Sequence, residues 1–239
     1  RIDDEPAGPN CEAGGLAIGV GLDLDASGEL EPGEVVSTSY VCHGDSPSGG
    51  VLVGGIAVTN SHDLWVLSLY DEVTDWVAFC SDEFEDIVLP NLTIVGGDFQ
   101  FNRYRDAGGS ATNCTHEALV LVDIPALTEI GGVFYAPRAE GVTDLGGLSA
   151  LHGVGDTILV WQTSLTSLDG LQQLTSAGNA LAIQDNADLI DISALSALTS
   201  VPGDVTITDN PQLCQTDVDA WLAGVTVGGT TNVSGNGEC

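Results

Sequence analysis

The residues best suited to chemistry lie close together near the start of the chain. They are Asp23-Leu-Asp25-Ala-Ser27-Gly28-Glu29-Leu30-Glu31-Pro32-Gly33-Glu34. Counted as a twelve-residue loop, oxygen-bearing side chains fall at positions 1, 3, 5, 9 and 12, and Gly28 falls at position 6. That is the grammar of a calcium loop, in which the chain turns sharply at the glycine and wraps six to eight oxygens at about 2.4 Å around one ion. Asp23, Asp25 and Ser27 would supply side chains, Glu29 its carbonyl and Glu34 a bidentate carboxylate. The competing reading is an acidic turn that holds no metal. No helical pattern precedes the loop, and Pro32 and Gly33 shorten any helix after it. The pattern therefore predicts a stabilising Ca²⁺ site rather than a paired sensor that opens a groove.

Cysteine is the second reactive type. Cys11, Cys42, Cys80, Cys114, Cys214 and Cys239 form no CxxC, and no histidine stands at zinc-ligand spacing. An even number of widely spaced cysteines predicts disulfides and an oxidising compartment. Local pairing gives Cys11–Cys42, Cys80–Cys114 and Cys214–Cys239, one of the fifteen connectivities that six cysteines allow. His62 and His116 have no second ligand nearby and read as solvated or capping residues. Gly44-Asp-Ser-Pro-Ser-Gly-Gly50 faintly echoes a serine-protease nucleophile, but Pro47-Ser48 breaks the echo and no histidine and aspartate are placed to serve it. Sequons at Asn91, Asn113 and Asn232 read as chance.

The charge balance limits the partners. There are 35 acidic residues against four basic ones, giving a formal charge of −31, and no lysine. Nucleic acid and anionic lipid both require clustered Lys and Arg, so neither is an expected partner. No apolar run is long enough to insert into a membrane. The abrupt start at Arg1 reads as the removal of a leader or of an upstream segment. Three of the four basic residues, Arg103, Arg105 and Arg138, are expected near one another, the first two flanking Tyr104. Arg and Tyr dominate contact energies at interfaces, so these four form a candidate interaction patch, unless the arginines pair with acids of their own domain.

The elements that position these residues come from a repeat. Leu148, Leu171 and Leu195 lie 23 and 24 residues apart, as do Leu151, Leu174 and Leu198, and Val154, Ala177 and Val201. Each set precedes a Gly-Asp or Gly-Asn turn and a short alternating strand: Ile158/Val160, Leu181/Ile183, Val205/Ile207. A fixed period of this size predicts a mainly β solenoid in which each turn buries the apolar face of its neighbour. Aromatic content is only 5%, which predicts a core of Leu, Val, Ile and Ala rather than rings. About six turns are expected. Gly54–Leu64 aligns with Gly203–Leu213 as an earlier turn. Leu92 and Leu127 are 35 apart, and the excess, Arg103–His116, reads as an inserted loop. Asp217–Leu222 reads as a short capping helix with Thr216 as N-cap, and Trp221 is placed to cover the last turn. The domain division is 1–44 for an extended arm (to Asn10) and the calcium-loop module, 45–50 for a linker, and 51–239 for the solenoid and its cap. Strands are expected at Leu16–Leu22 and Val36–Cys42.

Two resemblances follow from these motifs. Glu5-Pro-Ala-Gly-Pro-Asn-Cys11, Gly14-Gly15, the acidic loop and Tyr40-Val-Cys-His-Gly44 resemble a small domain of unknown function found in secreted bacterial surface proteins. The leucine columns, the Gly-Asp turns and the Asn210-Pro-Gln-Leu-Cys214 ending resemble the receptor L-domain, a relative of leucine-rich repeats. That resemblance implies a right-handed parallel β-solenoid with disulfide-rich ends that binds proteins or serves as a structural ectodomain module. The expected function is therefore a non-catalytic, calcium-stabilised, extracellular module of a bacterial surface. Its partner would be copies of itself, as a filament or layer, or another surface protein. The alternatives are an adhesion module recognising a protein or glycan, and a carbohydrate-active enzyme on a β-helix.

Overall fold

A computed structural model describes residues 50–80, 86–101, 121–136, 142 and 145–239 in full, and the backbone of strands at 2–5, 15–21, 35–42, 103–105, 111–113 and 137. The chain divides into two compact units, residues 1–48 and 49–239.

In the first unit, β1 (Ile2–Glu5), β2 (Gly15–Gly21) and β3 (Val35–Cys42) form an antiparallel sheet in that order. Part of the extended arm is a paired strand. Ile2 pairs with Ile18 and Glu5 with Gly15, so the segment adds a strand to the free side of β2. An extended segment beside an open strand gains ladder hydrogen bonds by docking there. The register between β2 and β3 slips once, between Val20 and Gly21, a bulge just before the acidic loop.

The second unit is mainly β, with parallel sheets. Its first part holds β4 (Val51–Leu52), β5 (Ile56–Val58), helix α1 (Ser61–Leu67), β6 (Glu72–Val73), β7 (Val77–Phe79), β8 (Asp86–Val88), β9 (Ile94–Val95) and β10 (Phe99–Phe101). Next come β11 (Arg103–Arg105), β12 (Ala111–Asn113), β13 (Leu121–Asp123), β14 (Glu129–Ile130) and β15 (Phe134–Pro137). The remainder is β16 (Gly153–Val154), β17 (Ile158–Trp161), β18 (Ser176–Ala177), β19 (Leu181–Gln184), β20 (Ser200–Val201), β21 (Val205–Thr208), helix α2 (Gln215–Leu222), β22 (Thr226–Val227) and β23 (Thr231–Ser234). No helix of the described residues is long and apolar enough to cross a membrane.

The long sheet has eight strands, in the order β23-β21-β19-β17-β15-β10-β7-β5, two more than the six turns expected. A second sheet runs β18-β16-β14-β9-β6-β4, and β20 pairs with β22 separately. Every pairing in these three sheets is parallel and joins residues one repeat apart, as in Ile158 to Leu181 and Leu181 to Val205. Alternation along each strand sets its two faces. Ile158 and Val160, Leu181 and Ile183, and Val205 and Ile207 are buried, as are the columns beginning at Leu148, Leu151 and Val154. Repeating apolar positions place like residue on like residue, so each repeat covers its neighbour.

Glycine and threonine join adjacent repeats by different means. A Cβ at Gly131, Gly155 or Gly178 would overlap the carbonyl oxygen of Gly96, Gly131 or Gly155 respectively, one repeat earlier. These glycines allow the backbones to approach. The hydroxyls of Thr93, Thr128 and Thr175 donate back to the carbonyls of Asp71, Thr93 and His152 at 2.8, 3.0 and 3.2 Å.

Three further expectations are corrected. Phe79, Phe99, Phe101 and Phe134 are all buried and pack ring to ring, with centroids 5.2 to 6.3 Å apart. The low aromatic content is concentrated in one part of the core rather than spread through it. Residues 61–67 are helical, not a continuation of a strand turn. Asn60 accepts from the Asp63 backbone N–H at 3.0 Å, and the Asp63 carboxylate accepts from Thr59 N–H at 2.9 Å, which caps the first turn of α1. The last helix begins at Gln215 with Cys214 as its N-cap. Thr216 lies inside it, with its hydroxyl 3.0 Å from the Cys214 sulfur.

Candidate functional site

The acidic loop lies in sequence between two described strands. Gly21 pairs with Val35 in the β2–β3 ladder, so the whole segment from Asp23 to Glu34 connects two antiparallel strands. Asp23, Asp25, Ser27, Glu29 and Glu34 themselves lie outside the described residues. The elements that flank them are strands, where a paired calcium sensor has helices.

The cysteines are placed in part. Cys214 and Cys239 form a disulfide, with their Cα atoms 5.4 Å apart. Cys80 is also disulfide-bonded. Cys11 and Cys114 lie outside the described residues, and Cys42 is described only as the last residue of β3, opposite Gly15.

Arg103, Tyr104 and Arg105 make up β11, which pairs antiparallel with β12 through Arg103–Asn113, Tyr104–Thr112 and Arg105–Ala111. The inserted segment is thus a hairpin at its base, and it leaves the ladders in step. Phe99 still pairs with Phe134, and Ile94 with Glu129. Arg138 and His116 lie outside the described residues. His62 is exposed and stacks on Trp65 with ring centroids 5.8 Å apart.

Two features escaped the sequence reading. The first is a buried polar column at the C-terminal end of the long strands. Thr163, Asn186, Asn210 and Asn236 follow Gln162, Asp185, Asp209 and Gly235, four residues with φ between 53° and 71°. This left-handed corner turns the next side chain inward. Asn186 donates through Nδ2 to Asn210 Oδ1 at 3.0 Å, and Asn210 donates to Asn236 Oδ1 at 3.0 Å. The Thr163 hydroxyl donates to Asn186 Oδ1 at 2.7 Å. Asn236 Nδ2 reaches Gln215 Oε1 at 3.0 Å, so the column ends on helix α2. Asn186 and Asn210 are fully buried, and each also donates to a strand carbonyl, Val160 or Ile183. The signal available in sequence was an Asn after Asp185, Asp209 and Gly235 at about one repeat's spacing.

The second feature is the outward face of the long sheet. Tyr135 and Leu159 are register neighbours on adjacent strands, and both are half-buried. Trp161 stands on the same strand face and donates from its ring nitrogen to Asp185 at 2.8 Å. Ala182 and Gln184 continue the face on β19. This is a shallow aromatic and apolar strip on an otherwise acidic surface.

Several aspartates accept hydrogen bonds from neighbouring repeats. Asp98 accepts from the Val133 N–H at 2.9 Å, and Asp204 accepts from the Thr230 N–H at 2.6 Å and the Thr230 hydroxyl at 2.9 Å. The backbone donor at Thr230, then its hydroxyl, hold the Asp204 carboxyl below its ordinary value of 3.8. Among the described residues no group of three His, Cys, Asp or Glu converges to hold a metal ion.

Comparison with known proteins gives one match. Residues 1–42 fit the model of a domain of unknown function (DUF7151). No curated protein and no solved structure matches the chain.

Proposed function

We propose that this chain is a non-catalytic structural and interaction module of a secreted bacterial surface protein, stabilised by calcium. Residues 51–239 are read as a right-handed β-solenoid of the receptor L-domain type, and residues 1–44 as a disulfide-stapled calcium-loop module. The observation that carries the reading is the set of parallel ladders whose every rung joins residues one repeat apart. Such a body cannot bury its apolar columns except by stacking, and it presents an extended sheet face. The Cys214–Cys239 disulfide fits an oxidising compartment. The partner is a protein, either a copy of this chain or another surface protein.

Calcium would be held by the loop Asp23–Glu34, through Asp23, Asp25, Ser27, Glu29 and Glu34, where it would stabilise the fold. Melting with and without chelator tests it. Calcium is expected to raise the melting temperature of the native protein, and Glu34→Gln to remove most of that rise and weaken binding in a calorimetric titration. A melting temperature unmoved by chelator would remove the metal from the proposal. Incubation with a polysaccharide panel in calcium tests the absence of chemistry, since measurable cleavage overturns it.

The outward strip of Tyr135, Leu159 and Trp161 favours one second reading, a module that recognises a protein or a glycan. Aromatic residues held by hydrogen bonds at a surface are suited to contact with either. Binding lost in Trp161→Ala, with melting unchanged, would support it.

A further inference from the structure

Among the described residues the long sheet ends at β23 and at β5, while the short strands end at β22, which pairs with β20 alone, and at β4, the last strand of the six-stranded sheet. In a parallel ladder alternate residues turn both backbone groups to the same side. Val205 N–H donates to Thr230 C=O and Asp209 N–H to Ser234 C=O, so Thr231 and Val233 face away from β21. Gly228 N–H donates to Val201 C=O, so Val227 faces away from β20. At the other end Ile56 N–H donates to Trp76 C=O, which leaves Ala57 facing outward, and Leu52 C=O accepts from Thr74, which leaves Val51 facing outward. None of these five residues has a backbone partner on its outer side among the described residues.

Three observations indicate what covers these edges. First, the corner between the two sheets is the same in both end repeats: the first residue of the long strand lies five positions after the first residue of the short one, Val51 to Ile56 and Thr226 to Thr231, as it does from Ser176 to Leu181. Val51 therefore stands in register with Thr226 and Ile56 with Thr231. Second, the two longest stretches without an Asp, Glu, Lys or Arg are residues 220–237 and 46–62. They contain the two end repeats, in a chain of formal charge −31. Charge and Lys on edge strands are the usual defence against strand addition, and both edges lack it. Third, both ends leave apolar residues uncovered. Val51 is 48% and Val53 85% exposed, and Val225, Val227 and Val233 are only partly buried, although the equivalent column positions Val201 and Ile207 inside the unit are fully buried. The side chains of Thr74 and Pro202, in the column of Val53, show that this position admits more than glycine.

We infer that the β22–β23 edge of one chain takes the β4–β5 edge of a second copy, continuing both ladders head to tail. Thr231 would donate to Gly55 and accept from Ala57, and Val227 would pair with Val51 and Val53. The operation is the one that already relates successive repeats, and it extends the long strands and the short strands at once. A head-to-tail contact does not close, so its product is a thread of copies. The inference rests on the structural-module reading above.

Sedimentation of the full chain in calcium, over a wide concentration range, tests it. Native protein is expected to rise from 24.5 kDa through successive multiples. Ala57→Pro and Thr231→Pro each place a ring on one outward edge and remove an N–H with no internal partner, so each variant alone is expected to stay monomeric. Mixed in equal amounts, they are expected to give a dimer and nothing larger, because one free edge of each kind remains. Thr231→Lys, whose side chain is exposed in the single chain, is expected to repeat the Thr231→Pro result if proline perturbs folding. A native protein that stays monomeric throughout, an Ala57→Pro chain that dimerises alone, or a mixture that stays monomeric would overturn the inference. Polysaccharide cleavage would overturn the non-catalytic reading while leaving these masses unaffected, so the two failures are distinguishable.

Discussion

Asn210 accepts from the Asn186 backbone and side chain through Oδ1, and through Nδ2 it donates to Ile183, Thr208 and Asn236. Truncation leaves several buried groups unpaired at once, each costing roughly 1–3 kcal/mol. Asn210→Ala is expected to lower stability by about 3 kcal/mol in denaturant unfolding. Exposed Asn232→Ala should stay within about 0.5 kcal/mol. Asp204 makes a pH-dependent contribution. Its folded-state value lies below 3.8, so its stabilisation is present above that value and is lost as pH falls through the folded value. Native protein and Asp204→Asn are therefore expected to differ most in melting temperature near neutrality and to converge as the pH falls through the lowered folded-state value. Asp204 looks like an ordinary turn residue in the sequence. Asn186, Asn210 and Asn236 recur at about one repeat's spacing, but that they point inward depends on the left-handed corner before each, and backbone angle leaves little trace when the corner residue is Asp185 or Asp209.

At the scale of elements, the contacts between repeats depend on close backbone approach. Gly155→Ala would drive a Cβ into the Gly131 carbonyl and is expected to cost about 1–3 kcal/mol. Gly224→Ala, whose nearest neighbour would be Trp221 O at 3.4 Å, is expected to be nearly neutral. Chemical denaturation of the pair checks both. The strands and buried columns of residues 145–208 were legible because each repeat states them again, and three aligned copies outweigh weak local propensity. Helix α1 was not. Gly54–Leu64 matches Gly203–Leu213 well enough to carry the strand-turn reading past Asn60, where the local cap takes over. The phenylalanine cluster was hidden by averaging, since four rings close in space barely alter a composition of 239 residues. The strand pair within Arg103–His116 has no counterpart in other repeats, so no alignment exposes it.

For the whole molecule, charge is the dominant unbalanced term. With four arginines and no lysine, the formal −31 is opposed mainly by solvent ions. Raising sodium chloride from about 0.01 to 1 M shortens the screening length from about 30 to 3 Å. The melting temperature is expected to rise, because repulsion within the compact state weakens. A fall would mean that internal ion pairs outweigh it. The ladders have a separate consequence, one of timing. Their rungs join residues 21 to 35 apart, and the Cys214–Cys239 disulfide closes only the final segment. Nothing among the described residues ties one end of the ladders to the other, so each repeat is free to open without its distant fellows. In the single chain, at concentrations too low for copies to meet, amide protons should then exchange with solvent in a gradient, fastest in residues 226–234, slower by steps through β21 and β19, and slowest near the phenylalanine cluster, with local fraying at the tail in place of one concerted opening.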